Sequence, residues 1–186
     1  MFVLRHGETV WNVEGRMQGA LDSPLTERGR AQALRQGDIL RQAGAERLPL
    51  YSSPQGRALE TARLALPSSQ VIKDERLVEV GMGGWQGLTI AEIHRASPEV
   101  AVPDNFMWKF LAPGGERMDQ KLIRLRDFLS DVPGEAIVVT HGVTSQLLRG
   151  CVMQLDLADM AALDDPQGEV HRVGVKGEVL LSVQQR

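Results

Sequence analysis

The first nine residues read Met1-Phe2-Val3-Leu4-Arg5-His6-Gly7-Glu8-Thr9, and they predict a short strand that delivers a functional group. An apolar run without polar alternation is typical of a strand buried on both faces. A glycine after such a run allows the backbone to turn sharply. A histidine at the carboxyl end of a strand lies where open α/β sheets bind their ligands. A single histidine in this position is nevertheless more often structural than catalytic.

The same arrangement occurs again far along the chain. The apolar run Ala136-Ile-Val-Val-Thr140 leads directly into His141-Gly142. Between the two copies, Leu48-Pro-Leu-Tyr51 leads into Ser52-Ser53-Pro54, and Arg57 lies one turn into the next predicted helix. Because the carboxyl ends of parallel strands meet at one edge of a sheet, we expect the three strands to serve one pocket.

Four groups of residues, in order along the chain, carry a family resemblance. They are Arg5-His6-Gly7-Glu8-Thr9 with Asn12, Ser53-Pro54 with Arg57-Ala58 and Glu60-Thr61-Ala62, Glu79 with Gly84-Trp85-Gln86-Gly87, and Thr140-His141-Gly142. With these motifs the chain resembles the histidine phosphatase (phosphoglycerate-mutase-like) superfamily, from Met1 to about Leu148. The resemblance implies a phosphomonoester hydrolase that forms a covalent phosphohistidine on His6, which water then hydrolyses.

Composition and charge narrow the class of protein. The chain has 186 residues, which fits one ordinary domain spanning 1–186. A formal net charge of −3 gives no basic footprint for nucleic acid, and no polybasic run indicates a membrane surface. We find no signal peptide and no apolar run near the ~18 residues that span a bilayer. The single Cys151, expected in the core, fits a reducing cytoplasm. We therefore expect a cytoplasmic protein whose substrate is a small-molecule phosphate ester. A homodimer is a possible assembly.

The order of the predicted elements indicates an α/β fold. We expect a mostly parallel central sheet with helices on both faces and an antiparallel edge hairpin at the C-terminus. Trp11 to Leu25 is expected to be loop. The predicted elements are a helix capped by Thr26, a helix from about Gln55 to Leu66, strands at Val71-Ile72 and Leu77 to Val80, a short helix capped by Thr89 with Glu92, an amphipathic helix from Met118 to Leu129, and a hairpin from Val170 to Val183.

Two arginines are suited to hold a phosphate monoester. The guanidinium groups of Arg5 and Arg57 can each grip phosphate oxygens through paired hydrogen bonds and keep their charge. Arg57 alone would be equally plausible as a surface helix residue. The same positive charges disfavour an imidazolium, and they would keep His6 neutral for attack on phosphorus. His141 matches the family's second histidine, for which the resemblance implies contact with the phosphoryl group.

Glu79 matches the family's acid/base position, just before a glycine-rich loop. A leaving alkoxide needs a proton and the attacking water must lose one, and one carboxyl group can do both in turn. Glu8 and Glu60 are the competing carboxylates, and Glu60 can pair with Arg57 one helical turn away. Asn12 matches a substrate-binding residue of the phosphate loop, although an asparagine there is equally suited to cap a turn.

The expected chemistry uses neither a metal nor another cofactor. Four histidines, one cysteine and no Asp-x-Asp cluster give no credible ligand set. One alternative is a phosphoglycerate-type mutase, which needs a long charged cover, whereas 87–113 is short and rich in apolar residues. The other is a catalytically weak phosphate-binding or regulatory relative. The complete core set speaks against it: Arg5, His6, Arg57, Glu79 and His141.

Residues 88–115 are expected to form a small cover over the site. The stretch Asp104-Asn-Phe-Met-Trp-Lys-Phe110 is too aromatic for an exposed linker in a chain with 4% aromatic residues. We expect two of its four large side chains to pack on the core and Trp108 to face the substrate. Such a cover favours an ester with a flat or hydrophobic leaving group. The roles of Arg117, which stands where relatives carry serine, and of His171 stay open.

Overall fold

The computed structural model describes residues 1–103, 105–132 and 134–183. Its strands are β1 (Phe2–Arg5), β2 (Leu50–Ser52), β3 (Val71–Lys73), β4 (Ile137–Thr140), β5 (Val170–Gly174) and β6 (Gly177–Leu181). They form a 6-stranded sheet in the order β3-β2-β4-β1-β5-β6. The first four pair in parallel, whereas β5 is antiparallel to both β1 and β6. The predicted mostly parallel sheet with an antiparallel C-terminal edge is confirmed.

The helices are α1 (Val10–Val13), α2 (Glu27–Gln42), α3 (Gly56–Ala65), α4 (Ile90–Ala96), α5 (Met118–Asp131), α6 (Gly142–Met153) and α7 (Leu157–Ala161). The predicted cap of α2 is confirmed, since Thr26 Oγ1 accepts the Gly29 N–H at 3.0 Å. The predicted capping box of Thr89 and Glu92 at the start of α4 is confirmed as well. Within the described residues, no helix combines the length and apolar character that crossing a bilayer demands.

Alternate residues of β1 point into two separate apolar cores. Val3 packs with residues of α5 and α6 on one face of the sheet. Phe2 and Leu4 pack with residues of α2 and α3 on the other. All three are at most 3% exposed, and full burial of such a side chain contributes about 1.5–3 kcal/mol. Helices therefore cover both faces, as the continuous apolar run predicted.

Leu77 to Val80 does not form the predicted strand. Glu75–Leu77 instead form a 3-10 turn, and Val78 continues in extended conformation. The carbonyl oxygen of Val78 accepts hydrogen bonds from the side chains of Lys121 and Arg124 in place of a strand neighbour. Because buried backbone groups need hydrogen-bond partners, these side chains supply the donors that a neighbouring strand would otherwise provide.

Two details near the first strand differ from expectation. Val10–Val13 form a helical turn inside the predicted loop, because Thr9 and Asn12 make a reciprocal capping box. Gly7 is required by close packing rather than by a sharp turn, since a Cβ there would collide with the carbonyl group of Gly29. The start of α2 therefore lies directly against the residue that follows His6.

Candidate active site

A cavity of about 410 Å³ lies beside the carboxyl ends of β1 and β4. Predicted site residues line it, namely Arg5, His6, Asn12, Arg57 and Glu79. His141 is fully buried behind the wall. Its ring centroid lies 5.2 Å from that of His6, at an interplanar angle of 61°. The structure therefore brings the six predicted residues together, with His141 adjacent to the cavity rather than on its lining.

His6 is fixed at the end of β1 in one tautomer. Its backbone N–H donates to the carbonyl of Thr140 at 2.9 Å, which continues the pairing of β1 with β4. Its Nδ1 lies 2.7 Å from the carbonyl oxygen of Gly7. Because a carbonyl oxygen can only accept, Nδ1 carries the proton and Nε2 keeps its lone pair. Burial and the charges of Arg57 and Arg5 lower the pKa of His6 to about 3, so the ring is neutral near pH 7.

His141 contacts His6 and the end of β2. Its Nε2 lies 2.8 Å from Ser53 Oγ. Burial, together with the charge of Arg57, lowers the pKa of His141 well below its ordinary value. Its buried Nδ1 has no hydrogen-bond partner in the part of the chain that the structure describes. His141 is therefore a neutral ring packed edge-on against His6.

The loop before α2 anchors Arg57. Arg57 Nη1 donates to the Leu21 carbonyl at 2.7 Å and to Asp22 Oδ1 at 2.9 Å. Arg57 Nε donates to His6 Nε2 at 3.3 Å. Sequence reasoning missed Asp22. The predicted pairing of Glu60 with Arg57 is wrong, because Glu60 faces α2 and pairs with Arg30 at 2.5 Å.

Asp165, which was not identified from sequence, supports Arg5. Arg5 Nη1 donates to the Asp165 carbonyl at 2.9 Å, and Arg5 Nε lies 3.8 Å from the carboxylate. That carboxylate also accepts from Ser145 Oγ at 2.6 Å. Burial raises the pKa of Asp165 to about 6, although Arg5 and Arg149 oppose the shift. A titratable carboxyl group therefore lies against Arg5, which is more exposed than Arg57.

A buried ionic cluster continues behind Asp165. Arg149, with a side chain that is 0% exposed, lies 2.6 Å from Glu178 Oε2 and 3.0 Å from His171 Nδ1. His171 belongs to this cluster and not to the cavity lining. Arg117 is remote from both, since its exposed side chain pairs with Asp119 at 2.9 Å. The signal for the cluster was Arg149, the single charged residue of α6.

Glu79 is held against the first turn of α6. Its Oε1 accepts the Val80 N–H at 3.0 Å, the Thr144 N–H at 3.2 Å and the Thr144 hydroxyl at 2.8 Å. Although burial acts in the opposite direction, the charges of Lys121 and Lys109 and these hydrogen bonds lower the pKa of Glu79 to about 2. The positive end of a helix and two lysines therefore keep this carboxylate charged.

Lys109, rather than Trp108, lines the cavity. The 3-10 turn Met107–Leu111 directs successive side chains in different directions. Trp108 is 4% exposed and packs on Trp85 with ring centroids 5.8 Å apart. The expectation that two of the four large side chains join the core is confirmed by Phe106 and Trp108, and the expectation that Trp108 faces the cavity is wrong. Asp104 lies outside the described residues.

Asn12 caps a turn, as one of its two predicted roles requires, and it also lies on the cavity lining. Its Oδ1 accepts the Thr9 N–H at 3.1 Å within the capping box. Gln167 Nε2 donates to the same oxygen at 3.2 Å and to the His6 carbonyl at 3.1 Å. Gln167 was not identified from sequence. Glu8 pairs with Arg28 instead of lining the cavity.

The assembled groups suit the chemistry of phosphate esters. The positively charged Arg5, Arg57 and Lys109 line the same cavity as the neutral His6 and the Glu79 carboxylate. Oriented charges of this kind bind an anion and stabilise charge that develops during group transfer. Across the described ranges, no three His, Cys, Asp or Glu side chains are grouped so that they could hold a metal ion.

Known proteins with similar sequences include a phosphatase and a phosphoglycerate mutase. Glucosyl-3-phosphoglycerate phosphatase of Mycobacterium tuberculosis is 35% identical over 183 residues, which cover 88% of this chain and 79% of the relative. The 2,3-bisphosphoglycerate-dependent phosphoglycerate mutase of Caulobacter vibrioides is 39% identical over 132 residues, 62% of this chain and 53% of the mutase. The chain therefore spans about half the length of that mutase.

Solved structures and a family model extend the match. The structure of Bacillus stearothermophilus YhfR has a TM-score of 0.77 and 32% identity, covering 96% of this chain and 93% of that one. The model of the histidine phosphatase superfamily (branch 1) matches residues 1–184. The chain belongs to branch 1 of the histidine phosphatase superfamily.

Proposed function

We propose that the protein hydrolyses small phosphate monoesters, without a metal ion, through a phosphohistidine formed on His6. The observation that carries the proposal is the state of His6 at the cavity wall. Its Nδ1 donates a hydrogen bond to the Gly7 carbonyl, and its Nε2 lone pair accepts the Nε–H of Arg57 at 3.3 Å. An imidazole attacks phosphorus only when it is neutral, and the low pKa of His6 keeps it so across the physiological range.

Arg5 and Arg57 are the proposed phosphate ligands. Both line the cavity on the side of His6, and Asn12 lies on the same wall. A dianionic phosphoryl group between two guanidinium groups gains about 4 kcal/mol per charge pair at ~4 Å and an effective dielectric near ~20. The arginines thus position the phosphorus and also hold the nucleophile neutral. His141, which supports the His6 ring, is the proposed second histidine of the phosphoryl site.

Glu79 is the proposed proton donor and acceptor. It is charged in the absence of substrate, since its pKa is lowered to about 2. A bound phosphate dianion places negative charge next to the carboxylate, which raises its pKa and allows it to hold a proton. Glu79 then protonates the leaving oxygen, and it accepts a proton from the water that attacks phosphohistidine.

The mutase is a second candidate because of the 39% identity to a phosphoglycerate mutase. The two activities differ in the product formed from 3-phosphoglycerate in the presence of 2,3-bisphosphoglycerate. A phosphatase releases inorganic phosphate, whereas a mutase accumulates 2-phosphoglycerate. We expect released phosphate, because the 87–113 segment is short and rich in apolar residues.

The test of the proposed function is chemical trapping with a matched histidine control. His6→Ala should abolish turnover of para-nitrophenyl phosphate in EDTA, while His94→Ala, on the exposed face of α4, should retain it. An alkaline quench of the wild type with labelled substrate should trap an acid-labile phosphoenzyme. Label on serine, cysteine or aspartate would exclude the phosphohistidine route. Circular dichroism shows whether His6→Ala has folded, and His6→Asn serves as the second variant.

A further inference from the structure

Lys121 is a buried lysine on the core-facing side of α5. It is 0% exposed, as is Leu125 one turn further along. Burial of an ammonium group is costly unless polar contacts compensate for it. Its Nζ donates to the Val78 carbonyl at 2.6 Å and to Thr144 Oγ1 at 2.5 Å. Val78 precedes Glu79 in sequence, and the Thr144 hydroxyl contacts the Glu79 carboxylate. Both hydrogen bonds of Lys121 therefore lie next to Glu79.

Thr144 connects the lysine to the carboxylate. A hydroxyl group has one hydrogen, and because Lys121 donates to the hydroxyl oxygen, that hydrogen must find another acceptor. Two acceptors lie within reach, Glu79 Oε1 at 2.8 Å and the Val78 carbonyl at 3.0 Å. The Val78 carbonyl already accepts from Lys121 and, at 2.9 Å, from Arg124. The hydroxyl hydrogen is therefore directed to the charged Glu79.

The two carboxylate oxygens of Glu79 are held very differently. Oε1 accepts three hydrogen bonds, two from backbone N–H groups and one from the Thr144 hydroxyl. Oε2 accepts a longer one, from the Val143 N–H at 3.3 Å. An oxygen with its lone pairs occupied cannot readily take a proton, so Oε2 is the oxygen available for proton exchange.

We propose that Lys121, acting through Thr144, is a positioning residue that holds Glu79 Oε1 and thereby assigns proton transfer to Oε2. The proposal rests on the proposed function, in which Glu79 is the acid and the base. As the His6 nitrogen bonds to phosphorus and the ester P–O bond breaks, the Oε2 proton goes to the leaving oxygen. As water's oxygen then bonds to phosphorus, the N–P electron pair returns to His6 and Oε2 takes the water's proton.

Several charged or titratable groups share this environment and affect its pH dependence. Those that act on Glu79, besides Lys121, are Lys109, Arg57, His6 and Asp165, and those that act on Lys121 are Arg124, Glu116 and His141. Burial and the charge of Arg124 lower the pKa of Lys121 to about 7, although Glu79 and Glu116 oppose the shift. Below that pH Lys121 is charged, and its removal takes away one group that stabilises the carboxylate, so the pKa of Glu79 rises. The pH above which Glu79 no longer holds a proton in the substrate complex should then move upward.

The experiment compares two esters and isosteric variants. Thr144→Val removes the hydroxyl and Thr144→Ser restores it, and Lys121→Met removes the ammonium group. On an alkyl ester such as β-glycerophosphate, Lys121→Met and Thr144→Val should each lower kcat about tenfold. They should also move the alkaline limb of the kcat profile to higher pH. para-Nitrophenyl phosphate, whose leaving group scarcely needs a proton, should lose far less. Thr144→Ser and the exposed Lys176→Met should resemble the wild type.

The double variant Lys121→Met/Thr144→Val keeps the proposal testable if a single variant fails to fold. Replacing both buried polar partners with apolar groups leaves neither unpaired. Because the two residues act in series, its loss should match that of one single variant rather than the product of both. A folded double variant with the wild-type ester preference and alkaline limb would overturn the proposal. Glu79→Gln, measured in parallel, distinguishes failure of the Lys121 proposal from failure of the proposed function. An equal loss of kcat on both esters in Glu79→Gln would contradict the acid role of Glu79 itself.

Discussion

Two corners of the cavity, at His6 and at Glu79, hold titratable groups that are both deprotonated near pH 7 but differ in charge. At the histidine corner, burial and the charges of Arg57 and Arg5 lower the pKa of His6 to about 3, and the ring stays neutral. At the carboxylate corner, the pKa of Glu79 is lowered to about 2, and the group stays charged. Burial favours the neutral form in both places. His6 takes the neutral form that burial favours. At Glu79 the charges of two lysines and the hydrogen bonds from N–H groups of α6 outweigh the effect of burial.

The positive charges that line the cavity affect both nucleophilic attack by His6 and proton transfer by Glu79. Positive charge prepares the nucleophile directly, because it disfavours the imidazolium form of His6. The same charge opposes protonation of Glu79, so the proposed acid depends on the substrate's own negative charge to acquire its proton. The histidine corner is therefore complete before substrate binds, and the carboxylate corner is completed by the substrate.

The largest expected effect comes from removing the proton donor. Glu79→Gln keeps the shape of the side chain and should slow an alkyl phosphate by about 10²-fold or more. The loss on para-nitrophenyl phosphate should be much smaller, because its leaving group departs without a proton. Steady-state kcat for the two esters at one pH provides the measurement. Similar losses on both would show that the two corners do not divide the chemistry as described.

A second expected effect concerns acid stability at the histidine corner. An unfolded histidine takes up a proton near pH 6.5, whereas folded His6 does so near about 3. Between these values the unfolded state binds more protons, so His6 lowers the free energy of unfolding as pH falls, by up to about 1.4 kcal/mol per pH unit. His6→Gln should flatten this dependence. Urea unfolding at about pH 6 and pH 4 measures the difference, with His94→Gln as the matched control.

Glu79 acts on stability in a lower pH range, which keeps the two corners distinguishable. Its folded pKa is lowered from 4.5 to about 2. The stabilisation that it contributes is therefore present above about pH 4.5 and is lost as the pH falls towards 2. A His6→Gln variant with an unchanged slope between pH 6 and pH 4 would contradict the assigned state of His6.

The smallest expected effect concerns substrate preference at Lys109. Its half-buried side chain lines the cavity beside Glu79 and near Arg5. Lys109→Met should raise KM for esters with a second negative charge, such as phosphoserine, by up to about tenfold, which corresponds to about 1.4 kcal/mol. para-Nitrophenyl phosphate should change less. Trp108→Phe, in the core, is the control for repacking of the same turn. Equal KM changes for both esters would remove Lys109 from substrate recognition.

The fold was predictable from sequence where one local pattern decided it. The apolar run Phe2–Leu4 predicted a strand buried on both faces of the sheet, and the capping residue Thr26 predicted the start of α2. The segment around Glu79 was not predictable as it stands. Its backbone partners are the side chains of Lys121 and Arg124, which are distant in sequence and leave no trace in the local pattern.

Among site residues, the motifs located the six that converge on the cavity, and they missed the groups that hold them. Asp22 and Asp165 are short-range turn residues by sequence, and their role depends on which loop folds back onto an arginine. Lys121 did leave a signal. It lies three residues after Met118 and four before Leu125, on the apolar stripe of its helix, where an exposed lysine is not expected.

The central claim is that His6 is a neutral nucleophile with its proton on Nδ1, and ring nitrogen chemical shifts measure this directly. Protein labelled with ¹⁵N at histidine, with His6→Gln for assignment, would be titrated from about pH 8 to pH 4. We predict an Nδ1–H resonance with an unprotonated Nε2 across that range, consistent with a pKa of about 3. A His6 that titrates near 6.5, or one that carries its proton on Nε2, would contradict the account.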